Sequence, residues 1–278
     1  MPKEVPISEI SDLIKRETIE QLWHFTVGFL RLETTPKGKD VTLLGSGILV
    51  KADNVAAILT AHHVTEVLPR QGRLGFILST SEEKTTIDVT GINPIRIDRG
   101  EVDADGPDLA IVCLSTSVAT SLNANKSFYN LDLRRDLLLN HPPDDHAGIW
   151  VAQGFVEELT STDSRSNPRK TVKAFCQFGA LGGVDSYEVR GGHDYCKFPM
   201  FEKDIGEKPK NFGGVSGGGL WQVVLRATEE GAISIDQLLL RGLVYYQDPF
   251  KEGASALRCH AHRSLYESAY AAITECAP

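Results

Sequence analysis

Apolar positions between residues 23 and 246 fall into short runs separated by Gly, Pro, Asn and Asp. Short strands at regular spacing, with turn residues between them, are typical of all-β barrels. The predicted strands of a first barrel are 23–32, 41–50, 55–61, 74–78, 85–92 and 108–114. Those of a second barrel are 149–156, 170–178, 187–189, 220–225, 233–239 and 242–246. The pattern therefore predicts an all-β fold of two six-stranded-type barrels.

The two ends of the chain show helical spacing instead. A short amphipathic helix running to about residue 21 is predicted from Ile7, Ile10, Leu13 and Ile14. A closing helix over 253–273 is predicted because one helical face can hold Ala256, Leu257, Leu265, Tyr266 and Tyr270. The expected organisation is a helical extension over 1–22, a first barrel over 23–120, an inter-barrel crossing over 121–147, a second barrel over 148–252 and a C-terminal helix over 253–278.

Composition places the chain among globular proteins. Its 278 residues are 41% apolar, enough to bury a substantial core, and 37 acidic against 29 basic side chains give a net charge of −8. This acidic balance argues against a nucleic-acid partner. No signal-peptide pattern begins the sequence, and no apolar run reaches the roughly 18 residues that span a bilayer. A soluble cytoplasmic protein without a membrane partner is therefore expected.

Five cysteines are scattered along the chain, at Cys113, Cys176, Cys196, Cys259 and Cys276. Because their number is odd and no C-x-x-C pair occurs, we expect reduced thiols rather than a disulfide framework. The run Cys259-His260-Ala261-His262 fits no zinc signature and is interpreted as helix surface. Neither a metal nor a cofactor is therefore expected.

Ser216 is enclosed by glycines in the segment Gly213-Gly214-Val215-Ser216-Gly217-Gly218-Gly219, directly before an apolar run. Glycine neighbours let backbone N–H groups converge on the spot where a tetrahedral intermediate places its negative oxygen. A plain turn is the other interpretation of such a loop. A phosphate cradle is excluded because the Lys-Ser ending of a P-loop is missing.

Two upstream segments carry partners for a nucleophilic serine. Ala57-Ile58-Leu59-Thr60-Ala61-His62-His63-Val64 is an apolar run that ends in two histidines, either of which could be a general base. Pro107-Asp108-Leu109-Ala110-Ile111-Val112-Cys113-Leu114 begins another apolar run with an aspartate that could orient an imidazole. Singly, such a histidine is more often a hydrogen-bonded structural residue and such an aspartate a turn former.

In the order His, Asp, Ser, these segments resemble the trypsin-like (chymotrypsin-fold) serine peptidases. The resemblance extends to Gly45-Ser46-Gly47-Ile48-Leu49-Val50, similar to an early barrel strand, and to Gly242-Leu243-Val244-Tyr245-Tyr246, similar to the strand that lines the substrate cleft. It implies that Ser216 is the nucleophile, His63 the general base and Asp108 the residue that orients His63, with the N–H groups of Gly214 and Ser216 forming the oxyanion hole. His63 is preferred over His62 because the motif places its base directly before a small apolar residue.

The chain departs from the family pattern at Val215, where relatives activated from a zymogen carry an aspartate that pairs with a new amino terminus. It also has Gly219 where the family usually has proline, which leaves open whether the oxyanion hole is formed at rest. These departures resemble the intracellular bacterial members of the fold. The resemblance implies a peptidase with few protein targets, regulated by a partner protein in bacterial stress or antiphage defence. The alternatives are a catalytically silent module that binds a peptide or protein, and an esterase.

Cleft residues are carried over from the same resemblance. Lys210 stands six residues before Ser216, where trypsin has the aspartate that attracts basic side chains. Tyr245, Tyr246 and Gln247 follow on the strand beside the cleft and would narrow the pocket. A small, apolar or acidic residue is therefore expected before the scissile bond.

Overall fold

The computed structural model of the protein describes residues 11–35, 38–78, 84–97, 107–162, 173–201, 211–227 and 233–276. Its first helix, α1, spans Asp12–Trp23 and begins where the Ser11 hydroxyl accepts a hydrogen bond from the Ile14 N–H. The helix buries Ile14, Thr18 and Leu22. This confirms the predicted N-terminal helix, although Ile7 and Ile10 lie outside the described residues.

A first sheet follows the helix and is antiparallel apart from one short strand. Its strands are β1 (Thr26–Thr35), β2 (Gly38–Ala52), β3 (Val55–Thr60), β4 (Arg73–Ile77), β5 (Lys84–Asp88), β6 (Ile92–Arg96), β7 (Ala110–Leu114) and β8 (Tyr129–Asn130). They are ordered β5-β4-β1-β2-β3-β7-β6, and β8 pairs with β2 in parallel. The predicted strand over 85–92 is divided because a 3-10 turn, Val89–Gly91, separates β5 from β6.

A second antiparallel sheet holds the remaining strands. These are β9 (Ile149–Thr162), β10 (Lys173–Gly182), β11 (Ser186–Arg190), β12 (His193–Phe201), β13 (Gly219–Ala227), β14 (Ile233–Gln247) and β15 (Ala254–Ala261), in the order β10-β9-β13-β14-β15-β12-β11. The sequence missed β12 and divided β14 into two strands. The all-β fold class with two sheets is confirmed.

Within the described residues, four helical segments follow α1 besides the 3-10 turn. They are α2 (His62–Glu66), α3 (Thr116–Asn123), α4 (Asp132–Asn140) and a π-helical turn, Ser264–Ala269, that continues into α5 (Tyr270–Glu275). The prediction of one helix over 253–273 is correct for its second half only. Residues 254–261 instead form β15, because alternate side chains such as Leu257 and Cys259 are buried between the flanking strands β12 and β14.

The expectation that all cysteines are reduced is wrong for one pair. Cys113 on β7 and Cys276 at the end of α5 form a disulfide, with Cα atoms 6.1 Å apart. The pair is separated by 163 residues, so no local motif could signal it. Cys196 and Cys259 remain free and buried, opposite each other on β12 and β15. The cysteines therefore no longer argue for a cytosolic location.

Three aromatic side chains connect the segment after α1 with the two sheets. Phe25, Tyr129 and Trp221 pack with ring centroids 5.1–5.7 Å apart.

None of the helices in the described ranges is both long enough and apolar enough to cross a bilayer.

Candidate active site

The pairing of β3 with β7 brings His63 and Asp108 together. Thr60, at the end of β3, lies opposite Ala110, at the start of β7, because the two strands are antiparallel. His63 follows Thr60 by three residues, and Asp108 precedes Ala110 by two. Residues 45 positions apart in the sequence therefore meet at one edge of the first sheet.

Asp108 makes two hydrogen bonds with His63. One carboxylate oxygen lies 2.6 Å from His63 Nδ1, and the other accepts the His63 backbone N–H at 2.9 Å. Burial favours the neutral carboxyl, but the hydrogen bonds from His63 outweigh it, so the pKa of Asp108 lies below its ordinary value. Because ionised Asp108 can only accept, His63 Nδ1 carries the proton and a neutral imidazole leaves Nε2 free to take another.

His62 faces a different set of groups. Its Nε2 lies 3.5 Å from the Glu66 carboxylate, and its Nδ1 lies 3.3 Å from the Thr65 hydroxyl, both on the same short helix. Asp108 contacts only the second histidine of the pair. The geometry thus favours His63 over His62 as the base.

The loop that carries Ser216 is folded tightly against the first sheet. Gly214 and Gly217 have φ values of +94° and +86°, which favour glycine. A Cβ at Gly217 would lie 1.9 Å from the Ser46 carbonyl oxygen, so a larger residue would push the loop away. These two positions explain the glycine-rich sequence around the serine.

Ser46 ties this loop to both sheets. Its hydroxyl donates to the Gly214 carbonyl at 2.7 Å and accepts the Phe155 N–H at 2.8 Å. Its backbone N–H donates to the Ser216 carbonyl at 2.8 Å. The sequence singled out Ser46 only as part of a strand, since nothing local indicated these partners.

Two N–H groups of the loop are left for a ligand. Gly213, Val215, Gly217 and Gly218 all donate to acceptors within the protein. The N–H groups of Gly214 and Ser216 have no hydrogen-bond acceptor among the described residues. They are the pair that the sequence assigned to the oxyanion hole, and within the described residues both remain available as donors.

The Ser216 hydroxyl is turned toward the strand beside the cleft. It donates to the Tyr245 carbonyl at 3.4 Å, and within the described part of the chain it makes no hydrogen bond to His63. Bonds between nucleophile and base are often long or absent in ligand-free proteins and tighten only on substrate binding. Val215, which precedes the serine, is buried in an apolar cluster and has no charge to pair.

His63, Asp108 and Ser216 line one open cavity of about 340 Å³. Its other walls are Asn211, Phe212, Gly213, Tyr245, Tyr246 and Gln247. All the predicted site residues line this cavity except two. Lys210 lies outside the described residues, and Gly214 lies in the loop between the lining residues Gly213 and Ser216 without lining the cavity itself.

The three predicted cleft residues in the described part of the chain differ in their burial and in their contacts. Tyr245 is buried, which raises its pKa and keeps its phenol neutral. Tyr246 is 42% exposed with the Arg258 guanidinium over its ring. Gln247 accepts the Phe212 N–H at 3.0 Å through its side-chain oxygen. Tyr246 is therefore the most exposed of the three side chains.

The interpretation of the Cys259-His260-Ala261-His262 run as helix surface is wrong. His260 lies on β15 and is completely buried, and its Nε2 accepts the Asp108 backbone N–H at 3.1 Å. The sequence missed this contact because the alternation of β15 was interpreted as a helix. Within the described residues, no group of His, Cys, Asp or Glu has the arrangement of a metal site.

Comparisons with solved structures identify the fold. A structure of the HtrA-type protease AlgW with a decapeptide matches 96% of this chain and 68% of its own, at 13% identity and a TM-score of 0.50. The active form of the Rv3671c protease from M. tuberculosis matches 96% of this chain and 89% of its own, at 12% identity and a TM-score of 0.46. A structure concerning the VPg protein of Sesbania mosaic virus matches 88% of both chains, at 15% identity and a TM-score of 0.45. No protein-family model and no curated protein matches the sequence.

The likeness to AlgW shows that the chain has the trypsin-like serine peptidase fold, as the sequence motifs predicted. Identities of this size support the fold alone, because one fold hosts many functions.

Proposed function

We propose that the protein is a serine endopeptidase that cleaves a limited set of protein targets through His63, Asp108 and Ser216. In this mechanism the Ser216 hydroxyl attacks a peptide carbonyl while His63 Nε2 takes its proton. The C–N bond then breaks, and His63 returns the proton to the leaving amine. Water releases the acyl group from Ser216 by the same two proton transfers.

The contact between His63 and Asp108 is the observation that carries this proposal. A hydrogen bond of 2.6 Å to an ionised carboxylate fixes the His63 tautomer and stabilises the imidazolium that forms during attack. Asp108 is nearly buried, with 11% of its side chain exposed, whereas His63 is 45% exposed and accessible to a substrate. The free N–H groups of Gly214 and Ser216 would bind the oxyanion.

One rearrangement completes the site. For catalysis the Ser216 hydroxyl has to leave the Tyr245 carbonyl and donate to His63 instead, and we expect rotation of the serine side chain to bring this about. In the proposed mechanism a bound peptide drives this change, because its backbone competes for the polar groups of the strand that carries Tyr245.

A peptide substrate suits this cleft better than a small ester. The cavity is open and bordered by a strand end, and the AlgW structure of the same fold holds a decapeptide. The regulated role in bacterial stress or antiphage defence, with an activating protein partner, remains a prediction from the family resemblance.

A silent peptide-binding module is the second candidate. The hydrogen bond from Ser216 to Tyr245, in place of one to His63, is the observation that favours it. A module of this kind would bind peptides in the same cleft without turnover.

Cleavage of an unfolded protein such as casein, read by mass spectrometry of the fragments, distinguishes the candidates. We expect discrete fragments from the wild-type protein and none from Ser216→Ala or His63→Ala, with His62→Ala close to wild type as the matched control. Binding of peptides without fragments, or fragments that persist in Ser216→Ala, would refute the proposal.

A further inference from the structure

His260 contacts Asp108 of the candidate triad from the second sheet. It belongs to β15 of the second sheet, where it pairs with Leu243 on β14 and Tyr195 on β12. Asp108 lies two residues before β7 of the first sheet. The hydrogen bond from the Asp108 N–H to His260 Nε2, 3.1 Å long, therefore joins the two sheets at the residue that orients the base.

The ring of His260 is held in place by other aromatic rings. Its centroid lies 4.9 Å from that of Tyr195, 5.0 Å from Tyr245 and 5.8 Å from His193. Tyr245 also supplies the carbonyl that accepts the Ser216 hydroxyl. The buried His260 ring thus contacts both the Asp108 backbone and Tyr245, the residue that accepts the Ser216 hydrogen bond.

The protonation state of His260 fits an acceptor. Burial, together with the charge of His193, lowers its pKa to about 3, so the ring is neutral at physiological pH. A neutral ring that accepts at Nε2 carries its proton on Nδ1, which has no partner among the described residues. The titratable groups that face it are Asp108, Arg190, His193, Asp194, Tyr195 and Tyr245.

We propose that His260 is a positioning residue for the hydrolytic reaction, because its Nε2 holds the Asp108 backbone in the place from which the carboxylate orients His63. This inference rests on the proposed triad. His63 holds the Asp108 carboxylate from one side and His260 holds its peptide from the other. Without the second contact, the buried Asp108 N–H would turn toward another acceptor and take the carboxylate out of line with His63 Nδ1.

Two substitutions separate the hydrogen bond from the packing. His260→Gln keeps an acceptor within reach of the Asp108 N–H but removes the ring, whereas His260→Phe keeps a ring and removes the acceptor. We expect kcat of the Phe variant to fall about 10- to 100-fold with KM unchanged, and kcat of the Gln variant to stay within about threefold of wild type. The control is His262→Gln, which removes the neighbouring histidine and should leave kcat unchanged.

A purely structural role would not change the pH dependence. Asp108 out of place stabilises the His63 imidazolium less, so the acidic limb of kcat/KM should move to lower pH in His260→Phe but not in His260→Gln. The far-downfield proton resonance of the hydrogen bond between His63 and Asp108 should weaken in the Phe variant alone. A Phe variant with wild-type kcat and pH profile, or one more active than the Gln variant, would overturn the proposal.

The wild-type protein gives a test that needs no variant to fold. Nitrogen-15 spectra of its histidines should show His260 with a proton on Nδ1 and an acceptor at Nε2. A proton on Nε2 would exclude the bond to the Asp108 N–H and overturn the inference even if the triad is correct. If Ser216 of the wild type proves unreactive toward a fluorophosphonate, the proposed function fails, and this inference fails with it.

Discussion

Replacing Ser46 by alanine should loosen the loop of residues 213–219, which carries Ser216. The contacts between His63 and Asp108 do not involve Ser46 and should stay intact. The Ser46 hydroxyl is buried and makes two hydrogen bonds, to the Gly214 carbonyl and from the Phe155 N–H. Alanine leaves both backbone groups without this partner, and an unsatisfied buried polar group costs about 1–3 kcal/mol. Gly214 is only half-buried, so the total should lie at the lower end for two groups, about 2 kcal/mol. The melting temperature should then fall by about 4–8 °C, since a domain of this size loses roughly 2–4 °C per kcal/mol.

Activity should fall for a separate reason. Ser46 holds the Gly214 carbonyl. In the proposed mechanism the N–H group of the same residue binds the oxyanion, so a shift of Gly214 would displace that donor. Removing one oxyanion donor outright costs about a hundredfold or more in kcat, so a donor that is only displaced should cost about tenfold, with little change in KM.

Thermal unfolding and steady-state cleavage of a fluorogenic peptide measure the two effects. Ser234→Ala is the matched control, because the Ser234 hydroxyl donates to the Arg226 carbonyl and lines no part of the cavity. If Ser46→Ala kept both the wild-type melting temperature and the wild-type kcat, the assigned role of Ser46 in holding the loop would be wrong.

Three further predictions concern other contacts. Asp108→Asn should lower kcat by about 10³- to 10⁴-fold in stopped-flow or steady-state assays, because an amide no longer requires the His63 tautomer with its proton on Nδ1; a loss below about tenfold would contradict this. Cys276→Ser removes the link to Cys113 and should lower the free energy of unfolding by about 2–4 kcal/mol under oxidising conditions; an equal loss with reductant present in both proteins would show that the disulfide contributes nothing. His260 has a folded-state pKa of about 3 against an ordinary 6.5, so the unfolded chain binds the proton first and stability should fall as pH drops from 6.5 toward 3; His260→Gln should flatten that dependence in urea titrations, and an unchanged slope would refute it.

The contact between His63 and Asp108 could be predicted from the sequence because both residues stand at the ends of apolar runs. His63 follows β3 and Asp108 precedes β7, and these two strands are neighbours in the sheet. The apolar run of each strand was therefore enough to mark both residues as candidates. The glycines around Ser216 were informative for the same reason, since positive φ values and close backbone approach both require them.

Contacts between distant segments could not be predicted in this way. His260 and Asp108 are 152 residues apart, and Cys113 and Cys276 are 163 apart, so nothing in either local segment indicates its partner. The strand over Ala254–Ala261 was predicted as helix because its apolar residues fit both periods over so short a run. Tertiary pairing with β12 and β14 decided the outcome.

Covalent labelling of Ser216 by a fluorophosphonate tests the central claim most directly. Such a probe reacts only with a serine hydroxyl that a neighbouring base activates, so it reports the chemistry of the site without a known substrate. Intact-mass and peptide mass spectrometry should show one adduct, located on Ser216, that is absent from Ser216→Ala and strongly reduced in His63→Ala and Asp108→Asn. A folded wild-type protein that stays unlabelled, or an adduct on another serine, would contradict the assignment of His63, Asp108 and Ser216 as a catalytic triad.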